Sequence, residues 1–276
     1  MGYDPFKYEV INNIGLQSAD IALGTNDEVG GAGDQGMMFG YACDDTEELL
    51  PTAMVILQKF SQAYDELRWM HHDFLPDGKA QITGAYDDNF NLIAIKDLTI
   101  SYQNTEKMRQ ITDELLVNLA KNICSGYNIE VENFHINPTG KFLIGGFDGD
   151  AGLTGRKIVV DAYQSFANVG GGAFSRKDPK KVDRSAAYKA RQIAKRMLKT
   201  NDLHWCEVQL SYAIGIARPL AIYINSDKGY IEAPDYLYNE CHPQAIIEEF
   251  DLRHFDYTKT AKFGHFGNQF FPWESL

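Results

Sequence analysis

The chain has 276 residues, 44 % of them hydrophobic and 23 % charged, with a formal net charge of −12. This is the composition of a globular protein, and its surplus of acid repels phosphate backbones and anionic lipid surfaces, which excludes a general nucleic-acid or membrane-surface binder. No apolar run is long enough to span a bilayer, and the opening MGYDPFKYEV has neither the basic start nor the apolar core of a signal peptide, so a soluble, cytoplasmic protein is expected.

Along the chain, residues 1–45 are rich in Gly and Asp, and the run GTNDEVGGAGDQG is loop-forming by composition. Thr46-Glu47-Glu48 then opens a predicted helix reaching about Leu67, capped by Asp45 or Thr46, with Leu50, Met54, Leu57 and Tyr64 at helical spacing. Residues 80–86 and 92–101 alternate as two strands joined by the turn residues Asp87, Asp88 and Asn89. A second helix is expected over about 104–124, with Met108, Ile111, Leu115 and Leu119 on its apolar face.

Glycine and charge concentrate over 138–183, where little regular structure is expected and where chemistry is to be sought. Asp183 is expected to cap the helix RSAAYKARQIAKRMLK, whose cationic face should be solvated. Residues 206–226 read as two strands around a Gly/Pro-containing turn, and Pro243 to Phe250 as a short helix. Two hairpin-then-helix units predict an α+β fold of antiparallel-rich sheets with helices covering one face.

The four cysteines, Cys43, Cys124, Cys206 and Cys241, form no CxxC pair, which favours buried free thiols over a zinc or disulfide framework. The seven histidines show no metal-ligand spacing, and His71-His72 cannot face one centre from a regular element. No GxSxG elbow and no GxxxxGK[ST] loop occurs, which argues against a nucleophilic-serine hydrolase and a P-loop ATPase.

Four segments carry candidate chemistry. In GAGDQGMMFGYA (31–42), glycines around Asp34 permit close backbone approach to a ligand, and MMFGYA reads as a buried strand ending at that loop. In PDGKAQIT (76–83), Asp77-Gly78 is a turn signal that places Lys79 at the start of a strand. GGFDGDAGLTGRK (145–157) can wrap phosphates with backbone N–H groups and the cations Arg156 and Lys157. GGGAFSRKDPKKVDRSAAY (170–188) follows three glycines with Lys177 and Lys181, and its Asp183 suits Mg2+. Each segment alone also fits a solvated loop. Together they supply at least five cations, Lys79, Arg156, Lys157, Lys177 and Lys181, beside several carboxylates, an inventory suited to a nucleoside polyphosphate carried with a divalent metal.

Taken with INPTGKFLIGG, SYAIGIARPL and GHFGNQFFPWE, these segments closely resemble the S-adenosylmethionine synthetase (methionine adenosyltransferase) family over essentially the whole chain. The resemblance implies a pseudo-threefold arrangement of α/β subdomains: a remnant of an N-terminal domain with a mobile loop in 1–28, a middle domain in 29–144 and a C-terminal domain in 145–276. It implies attack of the methionine sulfur on C5′ of ATP, expulsion of triphosphate, and its hydrolysis to pyrophosphate and phosphate, with Mg2+ and K+ as cofactors. The family's catalytic polyphosphate positions fall on Lys79, Arg156, Lys157, Lys177 and Lys181. Its ATP-binding positions fall on Asp34, Asp77, Gly78, Lys141, Phe142, Asp150 and Ala173, its L-methionine positions on Gln17, Asp150, Lys181 and Ile214, and a metal position on Asp183. A homodimer or dimer of dimers is implied. The family's HPDK motif, which serves the displacement and holds Mg2+, does not occur in this sequence. The expectation is therefore the large part of a split enzyme, completed by a separate HPDK-bearing polypeptide, or a truncated product, and a non-catalytic subunit that binds nucleotide or a full-length synthetase is the alternative.

Overall fold

The computed structural model describes residues 6, 8–16, 18–26 and 29–276; Gln17 and residues 27–28 of the glycine-rich loop lie outside them. In chain order the elements are α1 (Ala19–Thr25), β1 (Gly36–Cys43), α2 (Thr52–Met70), β2 (Phe74–Tyr86), β3 (Leu92–Asn104), α3 (Arg109–Ser125) and β4 (Val131–Ile136). Then follow α4 (Ile158–Asp161), α5 (Val182–Thr200), β5 (Trp205–Tyr212), β6 (Ala221–Ser226), β7 (Gly229–Ile231), α6 (Asp235–Glu240) and α7 (Pro243–Glu249). They form two compact units, Met1–Ile14 with Thr52–Leu153, and Gly15–Pro51 with Thr154–Leu276. Each unit thus draws on segments from both sides of the expected boundary near 28. Both are mixed helix-and-sheet bodies, as the α+β expectation requires. Among the described residues no helix is long and apolar enough to cross a membrane.

In the first unit, β2 and β3 pair antiparallel and β4 adds in parallel to β3, with α3 as the crossover. The core gathers Ala53, Ile56 and Phe60 of α2, Phe74, Ile95, Leu98, Ile100 and Tyr102 of the sheet, and Leu116, Ala120 and Cys124 of α3. Two predictions shift here. Helix α2 begins at Thr52 because Pro51 disfavours helical backbone at the residue before it. Thr46 instead closes a turn, its hydroxyl donating to the Leu50 carbonyl at 2.8 Å.

On α3 the buried stripe is Thr112, Leu116, Ala120 and Cys124 rather than the bulkier set expected, and Met108 and Ile111 are exposed. The helix meets the sheet on small residues, with Leu115, Leu119 and Ile123 packed along the flanks. Bulk marked the neighbourhood of the face but not its centre.

In the second unit the sheet order is β1-β5-β6-β7, antiparallel throughout. Helix α5 lies on β1 and β5, and its inner face carries the small residues Ala186, Ala187, Ala190 and Ala194, all buried. They allow an approach so close that a Cβ on Gly40 of β1 would lie 2.0 Å from the Ala190 carbonyl carbon.

The cationic face of α5 is not solvated. Arg184, Lys189, Arg191 and Lys195 are all buried. Arg191 donates to Glu274 at 3.1 Å (Nε) and 3.0 Å (Nη2), and to the carbonyls of Tyr41, Leu49 and Glu48 at 2.7, 2.8 and 2.7 Å. Lys195 pairs with the same Glu274 carboxylate at 2.8 Å, and Lys189 with Glu249 at 2.6 Å. Buried charge persists only where it is paired and hydrogen-bonded, and the far end of the chain supplies these partners. All four cysteines are buried and free, as expected.

Candidate functional site

The GGGAFSRK segment and the start of α5 bring together much of what was expected in the second unit. Lys181 occupies the N-cap position of α5 and Asp183 stands two residues further on, within the first turn, so Asp183 is not the cap. Its carboxylate instead faces Lys177, with which it forms a tight ion pair; the Lys177 ammonium also lies 3.5 Å from Asp34 at the foot of β1. A Cβ at residue 172 would lie 2.1 Å from Asp183 Oδ1, so a side chain there would displace the carboxylate that faces Lys177. Lys181 donates to the Gly33 carbonyl at 2.8 Å, tying the two glycine-rich loops to each other.

The two carboxylates around Lys177 are electrostatically unlike. Burial raises the pKa of Asp183, and the Lys177 ammonium only partly reverses it. Burial acts the same way on Asp34, but the Gln35 N–H and Lys177 outweigh it and hold its carboxyl below the usual range. Two carboxylates converging on one ammonium offer oxygen donors of the kind that hold Mg2+ together with substrate phosphates, while among the described residues no group of three or more His, Cys, Asp or Glu is placed to hold a metal ion by itself.

A cavity of about 280 Å³ opens beside this cluster, walled by Thr25, Asn26, Gly33, Lys180, Lys181 and Arg253 among others. Arg156 and Lys157 are exposed just ahead of α4, and Ile214 is 43 % exposed in the turn after β5. Ala173 is buried beside Phe174 in the glycine-rich segment.

The first unit carries the remaining expected residues. Asp77 and Gly78 are not a hairpin turn: they belong to β2, where the register jumps from Phe74↔Asn104 to Gly78↔Tyr102. Pro76 has no N–H to give the ladder, so the strand bulges and Lys79 follows on its exposed side. The Asp77 carboxylate accepts the Gly146 N–H at 2.6 Å, and the Phe142 carbonyl accepts the Asn104 N–H at 2.9 Å, so the INPTGKFLIGG segment is fastened along β2 and β3. Lys141 is exposed and pairs with Glu106 at 2.7 Å, and Asp150 is exposed.

Three contacts escaped the sequence reading. Arg184 donates to the Lys177 carbonyl at 2.8 Å. Gln103 donates to the Leu143 carbonyl at 3.0 Å. His265 touches Ser175 of the glycine-rich segment. All three act through backbone or a hydroxyl, which leaves no spacing signature; only the adjacency of Arg184 to Asp183 hinted at one of them.

Fold and loops describe an α+β protein that gathers lysines and carboxylates at glycine-rich turns. The chain belongs to the S-adenosylmethionine synthetase family: residues 29–142 match the family's central domain and residues 144–275 its C-terminal domain. Among similar proteins, the S-adenosylmethionine synthase of Clostridium tetani (strain Massachusetts / E88) is 42 % identical, the match covering 100 % of this chain and 76 % of that protein. Those of Prochlorococcus marinus strains AS9601 and MIT 9515 are each 41 % identical with the same coverage.

Proposed function

We propose that the chain carries the ATP- and polyphosphate-handling part of a methionine adenosyltransferase. The observation that carries this reading is the convergence of Asp34, Lys177 and Asp183 on two glycine-rich loops, within a family whose similar members are named S-adenosylmethionine synthases. Expelling triphosphate from C5′ places several negative charges on the leaving group. Cations fixed where that charge develops lower the barrier more than they stabilise the substrate. Lys177 suits the role because the partners it holds now are carboxylates that an incoming polyanion can replace. Lys79, Arg156, Lys157 and Lys181 would add charge along the polyphosphate.

Asp34, Asp77, Gly78, Lys141, Phe142, Asp150 and Ala173 would take the rest of ATP. Gln17, Asp150, Lys181 and Ile214 would line the methionine side. Asp183, with Asp34, would hold Mg2+, which when bound neutralises phosphate charge, and K+ is the proposed monovalent cofactor. Four buried, unpaired thiols suit a reducing cytoplasm, and a homodimer or dimer of dimers is the proposed assembly.

The chain spans 76 % of the length of the relatives it matches and its residues contain no HPDK; we further propose that an HPDK-bearing segment, in the same protein or on a separate polypeptide, completes the site. The test is to incubate the full chain with ATP, L-methionine, Mg2+ and K+, with and without such a polypeptide, and to measure S-adenosylmethionine by mass spectrometry. Product that depends on the added polypeptide is the expected result. ATP binding with no product under either condition would replace this reading with that of a non-catalytic, nucleotide-binding subunit.

A further inference from the structure

We propose that His265 is a positioning residue that sets where the cation-bearing loops of the second unit stand, by joining Ser175 to Tyr188 and Asp161 through one buried imidazole and its backbone. The proposal rests on the reading of Lys177 as a polyphosphate ligand. His265 is 0 % exposed, and its polar atoms reach four separate segments. Its Nδ1 lies 2.7 Å from the Tyr188 hydroxyl on α5, and its Nε2 lies 3.3 Å from Ser175 Oγ in the glycine-rich segment. Its backbone N–H donates to the Asp161 carbonyl at 3.3 Å, at the end of the short helix that follows Arg156 and Lys157. Its carbonyl accepts the Trp273 indole N–H at 2.9 Å, which fixes it to the chain's last turn.

The surroundings are otherwise aromatic. Phe174 packs edge-on to the imidazole at 5.0 Å, and Tyr188 stacks on Trp273 at 3.7 Å. A phenylalanine would fill such a pocket without the cost of burying a polar ring, so the imidazole is explained by the groups it joins rather than by volume. Ser175 is two residues before Lys177, and the intervening Arg176 has a φ of 68°, a backbone state that L-residues adopt only when surrounding contacts hold it. Arg184, on the carbonyl of Lys177, is the second anchor. Between these two holds the Lys177 side chain has little freedom in where it projects. Through Asp161 the same histidine reaches the segment that bears Arg156 and Lys157, so one residue relates two groups of cations.

The test uses the full chain and three variants: His265→Phe keeps the volume, His265→Gln keeps a polar atom toward Ser175, and Ser175→Ala removes the partner. Hydrogen–deuterium exchange over 170–178 should quicken in His265→Phe and Ser175→Ala and stay near the parent rate in His265→Gln. Calorimetry with inorganic triphosphate and Mg2+ should show affinity falling about fivefold to tenfold in the same two variants, the scale of one lost hydrogen bond, with recovery in His265→Gln. Unchanged exchange over 170–178 in both His265→Phe and Ser175→Ala would overturn the proposal. If His265→Phe fails to fold, Ser175→Ala alone decides it. If the parent chain does not bind triphosphate, the polyphosphate reading fails while the exchange result still decides the role of His265.

Discussion

Lys177 is held by Asp183 and Asp34 and is only 18 % exposed at its side chain, so its charge is both fixed and compensated. A polyanion arriving with Mg2+ would exchange those partners. Lys177→Met should therefore weaken binding of inorganic triphosphate by roughly tenfold to a hundredfold, the scale of a lost charge-assisted hydrogen bond, and should also lower stability, because the Asp183 and Asp34 carboxylates lose the cation between them. Isothermal calorimetry beside a urea titration separates the two effects. His265 makes a second residue-level prediction, through pH. Burial, and then the nearby Arg184 charge, lower its pKa to about 3, against 6.5 for the free side chain. The folded state thus keeps the ring neutral while the unfolded chain takes up a proton, so stability is full above about pH 6.5 and is lost as pH falls toward 3. Tyr188 and Tyr257 face the same region and stay protonated across that window, since burial pushes both phenols up. Urea midpoints measured from pH 7 to pH 4 should fall, and the fall should be shallower in His265→Gln. Equal slopes in the two proteins would show that other groups govern the acid limb.

At the scale of elements, α5 is the part on which most of the second unit depends. It packs on the sheet through alanines and closes its buried charges with residues far away in sequence, above all Glu274. Burial raises the pKa of Glu274, but Arg191 and Lys195 outweigh it and hold the carboxyl below its usual range. Removing that charge leaves two buried cations short of a partner. Glu274→Gln should cost about 3 to 5 kcal/mol in unfolding free energy, read from denaturant midpoints, and should loosen the turn whose carbonyls Arg191 holds. A cost below about 1 kcal/mol would mean that the backbone carbonyls of Tyr41, Glu48 and Leu49 satisfy Arg191 by themselves. The contact between β1 and α5 makes a sharper demand. Gly40→Ala places a methyl group into the Ala190 backbone, which cannot swing aside as a side chain would, so this variant should fail to fold or lose at least as much stability as Glu274→Gln. Thermal melts by circular dichroism check both.

For the whole molecule, two units with separate cores imply separate cooperativity. Native-state hydrogen exchange should find slow amides in β3 and α3 for one unit and in α5 and β5 for the other, each group with its own opening free energy; a single global value would refute this. Much of this architecture was legible in the residues. Alternation at 80–86 and 92–101, the helical periodicity read from Thr46 to about Leu67, whose start the structure moves to Thr52, and the Asp87-Asp88-Asn89 turn are local signals, because strand and helix periods repeat within a few residues. The cationic and acidic loop residues were also visible, since Gly clusters and charges stand out in composition, and long shared motifs marked the family. The sequence did not reveal that Arg184, Lys189, Arg191 and Lys195 of α5 turn inward, that α3 meets its sheet on Thr112, Leu116, Ala120 and Cys124, that Asp77-Gly78 is a bulge within a strand, or that a single buried histidine joins Ser175 to Asp161. Each depends on a partner tens of residues away: Glu274 for Arg191, Tyr102 for Gly78, Ser175 for His265. Local pattern determines which elements form and what chemistry they carry; only packing determines which charges lose their water, because desolvation is settled by what the rest of the chain places against them.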